Sequence, residues 1–156
     1  MSPRSLGVKQ IASNRKAFHD YFVLERHEAG IELFGTEVKS VRQGAVNLKD
    51  SFCLVKNGEL FARGVHISPY EKGNIFNKDP MRPKRLLMHR KEINKLNVLV
   101  MQDGNALIPL SIYLKNGRVK LEIGVCKGKK LHDKREVEAK RQAQRDIEHS
   151  LKERNI

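Results

Sequence analysis

Apolar residues change their spacing several times along this chain, and each change marks an element. From Tyr21 to Phe34 the pattern is that of strands. "YFVLER" and "GIELFG" are rich in aromatic and branched residues, and the polar "HEAG" between them reads as a turn. The next segment, "GTEVKSVRQGAVNL", shifts to a helical period: Val38, Val41 and Ala45 recur at i, i+3 and i+7, with Thr36 placed to cap the N-terminus and Gly44 to end the helix. A second helix is predicted over "HRKEINKLNVLVMQDG", where Ile93, Leu96 and Val100 share one face.

Two stretches carry the pattern of a hairpin. In "SFCLVKNGELFARGVHI" and in "ALIPLSIYLKNGRVKLEIGV" an Asn-Gly pair, Asn57-Gly58 and Asn116-Gly117, supplies the positive φ angles of a tight turn between two apolar runs. Between the hairpins, residues 68–85 hold three prolines and read as a long loop, which in a small domain is commonly functional. The sum is about six strands with two to three helices, too few for two full sandwich sheets. A mainly β, OB-fold-like closed barrel fits best, because closure removes exposed strand edges. An open α+β sheet is the alternative.

Composition adds a partner to this picture. The chain of 156 residues is sized for one domain with an appendage. The expected division is a mobile arm at 1–13, a barrel at 14–127 and a basic tail at 128–156. A net charge of +13, from 31 Lys and Arg against 18 Asp and Glu, needs anions. Nucleic acid is the usual answer, since each neutralised phosphate releases counterions; an anionic membrane surface is the competitor. No apolar run approaches the ~20 residues of a spanning helix, and the first ten residues lack a secretory apolar block, so a cytoplasmic protein is expected. Cys53 and Cys126 lie in separate apolar segments without a CxxC pair and read as buried free thiols; no metal site and no cofactor are predicted.

Several clusters are candidates for RNA contact. Asn14, Arg15 and Lys16 precede the first strand and suit a phosphate or a base edge, or only solvate a rim. Glu28 stands alone at the predicted turn, and by itself reads as a solvated acid. Lys39 and Arg42 lie away from the apolar face of the first helix. Arg82, Lys84, Arg85, Arg90 and Lys91 bracket the apolar "LLM", with His89 before the second helix, and read as one cationic edge. Catalysis has little support: there is no HxxxH pair, no nucleophile elbow and no phosphate-loop frame. An acid pair such as Glu25 with Glu28 leaves a metal-dependent nuclease as a remote rival.

The tail from Lys127 onward holds ten Lys or Arg against six acids, with five of the cations and one acid before Glu136. Beyond it, Ala139, Ala143, Ile147 and Leu151 form an i+4 row too thin to dock a helix firmly. A tail disordered when free that folds on an anionic partner is one reading, and a solvated helix packed on the barrel the other.

Taken in order, "NRKAFHDYF", "EAGIELFGTEVKSVRQG", "NLKDSF", "ISPYEKGNIFNKDP", "RLLMHRKEI" and "PLSIYLKNGRVKLEIGVCKGKKLHDKRE" resemble the SsrA-binding protein (small protein B) family, the partners of transfer-messenger RNA in bacterial ribosome rescue. The resemblance covers nearly the whole chain after the arm. It implies a monomeric, non-enzymatic adaptor that holds the tRNA-like domain of transfer-messenger RNA at its elbow and stands in for the missing anticodon arm. The charged RNA is delivered by elongation factor Tu with GTP to a ribosome stalled on a truncated message. By position, the RNA surface would comprise Asn14, Arg15, Lys16, Glu28, Lys39, Arg42, Lys84, Arg85, Leu87 and His89. In the tail, Gly128, Lys129, Lys130, His132, Asp133, Lys134 and Arg135 would lie in the decoding centre, and the rest would become helical in the empty message channel. A general OB-fold RNA chaperone or ribosome-associated protein is the rival reading.

Overall fold

The computed structural model describes residues 7–73, 76–102 and 104–129, and the single positions 142 and 145. In chain order these hold β1 (Val8–Ser13), α1 (Arg15–Asp20), β2 (Tyr21–Ile31), α2 (Gly35–Arg42), β3 (Val46–Asn47), β4 (Phe52–Lys56), β5 (Glu59–Arg63), β6 (His66–Ile67), β7 (Lys84–Leu87), α3 (Arg90–Met101), β8 (Asn105–Lys115) and β9 (Arg118–Gly128). The neighbour order β8-β4-β5-β7-β2-β9 is closed by β9 pairing back on β8, from Asn105↔Lys127 to Lys115↔Arg118. Six strands thus form a ring, the OB-like closed architecture expected from the hairpin count. Both Asn-Gly turns have positive φ at each residue, as their hairpins require. The short β3 and β6 pair separately.

Alternation fills the ring. Leu60, Leu86, Leu107, Ile112, Leu121 and Ile123 point inward and are buried, and α3 adds Ile93 and Leu96 as its periodicity predicts. Cys53 and Cys126 are buried free thiols; burial pushes Cys126 up to about 11 and raises Cys53 as well.

Four local expectations change. "HEAG" is not a turn: β2 is one strand of eleven residues, paired with β9 from Tyr21 to Gly30. Its polar run tolerates this because Glu25, Arg26 and Glu28 are exposed, and no positive φ breaks the strand there. The arm at 1–13 is corrected for its second half, since Val8–Ser13 is strand β1, hydrogen-bonded along β8 despite its weak apolar pattern. A short helix, α1, occupies Arg15–Asp20, where none was predicted. Thr36 does not cap α2; the Glu37 carboxylate instead accepts from the Phe34 N–H at 2.9 Å, and the Thr36 hydroxyl donates to the Phe76 carbonyl.

A bulge in β8 shapes the end of the ring near α1. The register with β9 shifts between Pro109 and Ser111, where proline has no N–H to give a ladder. The carbonyls released there are taken by Asn14: its Nδ2 donates to Pro109 O at 2.8 Å and its backbone N–H to Leu110 O at 2.8 Å. The same Nδ2 reaches Leu48 O at 3.2 Å, and Oδ1 caps α1 by accepting from Ala17 N. Leu110 packs beneath α1 with Ala17, Ile108 and Cys126, over a Gly124 whose added Cβ would meet Leu110 at 2.7 Å.

The long loop before β7 is tied rather than loose. The Asn77 side chain brackets Tyr70, accepting from its N–H at 2.9 Å and donating to its carbonyl at 2.8 Å. Arg82 is clamped by the buried Glu37, with Nη2 at 2.6 Å from Oε1. Lys84 is fully buried, and its ammonium donates to Val65 O at 2.7 Å and Pro80 O at 3.0 Å, pinning the end of the loop to the segment before β6.

Burial lowers the Lys84 pKa from 10.5 to about 8. Between those values the unfolded chain binds more protons than the folded one, so this lysine makes stability rise with pH across that window. Lys84→Met strands two buried carbonyls at a cost of about 1–3 kcal/mol. It also abolishes the pH-dependent gain. Urea unfolding of both proteins at about pH 7.5 and about pH 9.5 should show the stability gap widening at the higher pH; a constant gap would refute the assignment.

Candidate nucleic-acid interface

Glu28 lies on the outer side of β2 in a prepared environment. The Tyr113 hydroxyl of β8 donates to its Oε2 at 2.5 Å, and Lys115 Nζ lies 3.2 Å from the same oxygen. The Tyr113 hydrogen bond, with Lys115 behind it, holds the Glu28 carboxyl below the usual carboxylate range, while burial and Glu28 itself raise the Tyr113 phenol. Glu28 is therefore ionised, oriented and still 38% exposed.

Beside it runs β7, paired as Gly30↔Leu87 and Ile31↔Leu86. Alternation along four residues turns Lys84 and Leu86 inward and Arg85 and Leu87 outward. Glycine at position 30 gives this pairing room, because a Cβ there would stand 3.2 Å from that of Leu87, tighter than an ordinary contact. The close approach leaves Leu87 49% exposed. His89, the N-cap residue of α3, follows at once and is solvent-facing.

Glu28, Arg85, Leu87, His89, Arg90 and Lys120 line one cleft of about 700 Å3. A smaller cleft of about 310 Å3 shares Gly30, Leu87 and Lys120 with it and runs on to Gly117 and Arg118. Arg42 reaches this second part from α2, its Nη2 donating to Gly117 O at 3.4 Å. Such a surface has defined chemistry. A carboxylate of this kind can accept from N–H groups, an exposed leucine can pack against an apolar face, and cations can pair with phosphates.

The other predicted residues lie elsewhere. Lys84 and Asn14 are buried and their polar atoms are engaged within the protein, so neither presents a side chain to a ligand. Arg85 is shared between Glu32 at 3.7 Å and Glu59 at 3.5 Å, weak exposed pairs that a phosphate can replace. Arg15 is exposed on α1, and Lys16 pairs with Asp50 at 2.5 Å. Lys39 diverges from Arg42 and rests over the Tyr70 ring. Gly128 ends β9 opposite Tyr21, and Lys129 sits over Phe22 and donates to Phe18 O. Lys130, His132, Asp133, Lys134 and Arg135 lie outside the described residues. Among the described residues no group of three metal-ligating side chains occurs, and no helix is long and apolar enough to cross a membrane. Tyr113, Lys115 and Lys120 had no role in the sequence reading, since only the β2–β9–β8 register brings them to Glu28.

The fold is thus an OB-like ring of six strands, and its larger cleft combines Arg85, Arg90 and Lys120 with the carboxylates of Glu28, Glu59 and Glu92 around a bared leucine. The chain belongs to the SmpB protein family, whose sequence model matches residues 11–153. It is 62% identical over its full length to the SsrA-binding protein of Caldanaerobacter subterraneus subsp. tengcongensis, covering 99% of that protein. It is 64% identical over 146 residues to the SsrA-binding protein of Caldicellulosiruptor saccharolyticus, covering 94% of this chain and 92% of the relative. Among solved structures it is similar to a chain described under "tmRNA-SmpB: a journey to the center of the bacterial ribosome", with a TM-score of 0.66, 46% identity, and coverage of 76% of this chain and 83% of that one.

Tyr113→Phe tests the prepared carboxylate. Without the hydroxyl, Glu28 should titrate closer to an ordinary carboxylate. The contacts made by its ionised form, present above the unfolded pKa and lost as pH falls through the folded one, should then disappear at a higher pH than in the parent. Side-chain carboxyl NMR reads this directly, and an unmoved Glu28 titration would show that Lys115 alone holds it.

Proposed function

We propose that this chain is a transfer-messenger RNA-binding adaptor acting in trans-translation on the ribosome. The observation that carries the reading is the cleft itself: Glu28 from β2 and Arg85, Leu87 and His89 around β7 meet on one surface. Family membership and relatives named SsrA-binding protein supply its ligand. The tRNA-like domain would lie along this cleft at its elbow, with Glu28 and Leu87 on bases or sugars, and Arg42, Arg85 and His89 on flanking groups. Arg15 and Lys16, on α1 at the opposite end of β2, would meet a separate part of the RNA. Asn14 and Lys84 act as positioning residues, the first setting α1 and the second fixing the strand that carries Arg85 and Leu87.

The adaptor works by binding alone and carries out no reaction in the cytoplasm. The barrel takes the place of an anticodon arm, and elongation factor Tu with GTP meets the complex through the charged RNA. The tail, from Gly128 and Lys129 through Lys130, His132, Asp133, Lys134 and Arg135, enters the decoding centre. His132 is suited to stack on an unpaired base. A message channel that is already occupied would exclude the residues beyond Arg135, so the tail senses missing message.

Removing residues 130–156 leaves the β2–β9 pairing complete. It should preserve transfer-messenger RNA affinity within about twofold while abolishing peptide tagging on stalled ribosomes; loss of RNA binding would sink this division of labour. The rival reading, a general RNA chaperone, predicts equal binding of tRNA and transfer-messenger RNA in competition at about 150 mM salt. The adaptor predicts a clear preference for the latter.

A further inference from the structure

A third hollow, of about 520 Å3, lies between the start of α2 and the loop before β7 and shares no lining residue with the two clefts around Gly30. Its walls carry three aromatic rings, Phe34, Tyr70 and Phe76, and three lysines, Lys39, Lys72 and Lys78, with no acidic residue. Phe76 is 70% exposed and Phe34 49%, a large bared apolar surface for a small domain. The cations already lean on rings: Lys78 Nζ is 4.5 Å from the Phe34 centroid and Lys39 Nζ 5.4 Å from that of Tyr70.

The hollow is also built. Asn77 fixes Tyr70 through both backbone hydrogen bonds, and Thr36 Oγ1 donates to Phe76 O at 3.3 Å. Gly73 lets the loop lie on α2, since a Cβ there would meet Thr36 at 2.9 Å and Asn77 at 2.6 Å. Arg82, clamped on the buried Glu37, backs Phe34 at 4.9 Å. The backbones of Tyr70 and Phe76 are thus tied down, with the Lys39 and Lys78 ammoniums lying over rings at the rim.

We propose that this hollow is a second RNA site, separate from the Glu28 cleft, that takes an unpaired base of single-stranded RNA. The base stacks on Phe76, the most exposed ring, Lys39 and Lys78 exchange ring contacts for the flanking phosphates, and Lys72 joins them there. Aromatic rings interleaved with cations and without acids bind single strands with little regard for sequence, because every base has a π face. The hollow does not depend on the elbow reading: a chain that carries it would grip unpaired RNA whatever folded RNA its other cleft holds.

The test uses the full chain and a fluorescein-labelled unstructured ten-nucleotide RNA, with anisotropy read across a salt series. Phe76→Ala should weaken binding about tenfold at every salt concentration without changing the salt slope. Lys72→Ala with Lys78→Ala should lower the slope by about one to two. Leu87→Ala, in the other cleft, should leave this oligonucleotide's affinity unchanged. Transfer-messenger RNA binding by Phe76→Ala should stay within about threefold, which separates failure here from failure of the elbow assignment. Parental oligonucleotide affinity in Phe76→Ala would overturn the proposal. So would loss of binding to phosphatidylglycerol vesicles with RNA binding intact, which would assign the hollow to a membrane surface.

Discussion

The ring depends on one strand serving three partners. β8 pairs with β9 along its length, with β4 at Leu107 and with β1 from Ser111 to Lys115, so it changes partner part-way along. It turns at the Pro109–Ser111 bulge, which frees backbone carbonyls in a buried place. Unpaired, each would cost about 1–3 kcal/mol. Asn14 satisfies them with its side chain and its own N–H, and in doing so starts α1 and seats it over Leu110. Closure, the satellite core and the placement of Arg15 and Lys16 all rest on the same few hydrogen bonds.

A chain with 31 cations offers, on paper, 31 ways of meeting RNA, but folding divides them. Lys84 is interior, a bolt between loop and ring, and Arg82 neutralises a buried glutamate. Arg42 and Lys120 remain on the surface at the clefts around Gly30, while Lys39 faces a separate hollow. Charge count therefore describes the long-range attraction of the whole molecule, while the local chemistry is set by which cations the protein has already engaged for itself.

Much of the ring was legible because its signals are local. Asn57-Gly58 and Asn116-Gly117 fix their turns by backbone geometry alone, and the spacing of Ile93 and Leu96 fixes α3. What escaped was non-local. "HEAG" looks like a turn until β9 supplies a continuous partner, and β1 has almost no pattern because it gains its place from β8. The interface shows the same division. Glu28 was an isolated acid in sequence, and only the strand register brings Tyr113, Lys115 and Lys120 beside it. Asn14 and Lys84 were recognised as polar and near an edge, but one-dimensional spacing does not reveal which way a side chain's hydrogen bonds are directed.

The β2–β9 pairing has a metric consequence. Lys120 lines the Glu28 cleft, and Gly128, eight residues on, lies opposite Tyr21 where the chain leaves the sheet. At ~3.3 Å per residue that is ~26 Å of strand. β9 is hydrogen-bonded on both sides over this span and acts as a calibrated strut: whatever is gripped at one end, and whatever the departing chain touches at the other, are held at a set separation. A one-residue insertion would invert the strut's faces, and a two-residue insertion would lengthen it by ~7 Å. The length of a strand, rather than any side chain, then sets how far the Glu28 cleft stands from the point where β9 ends.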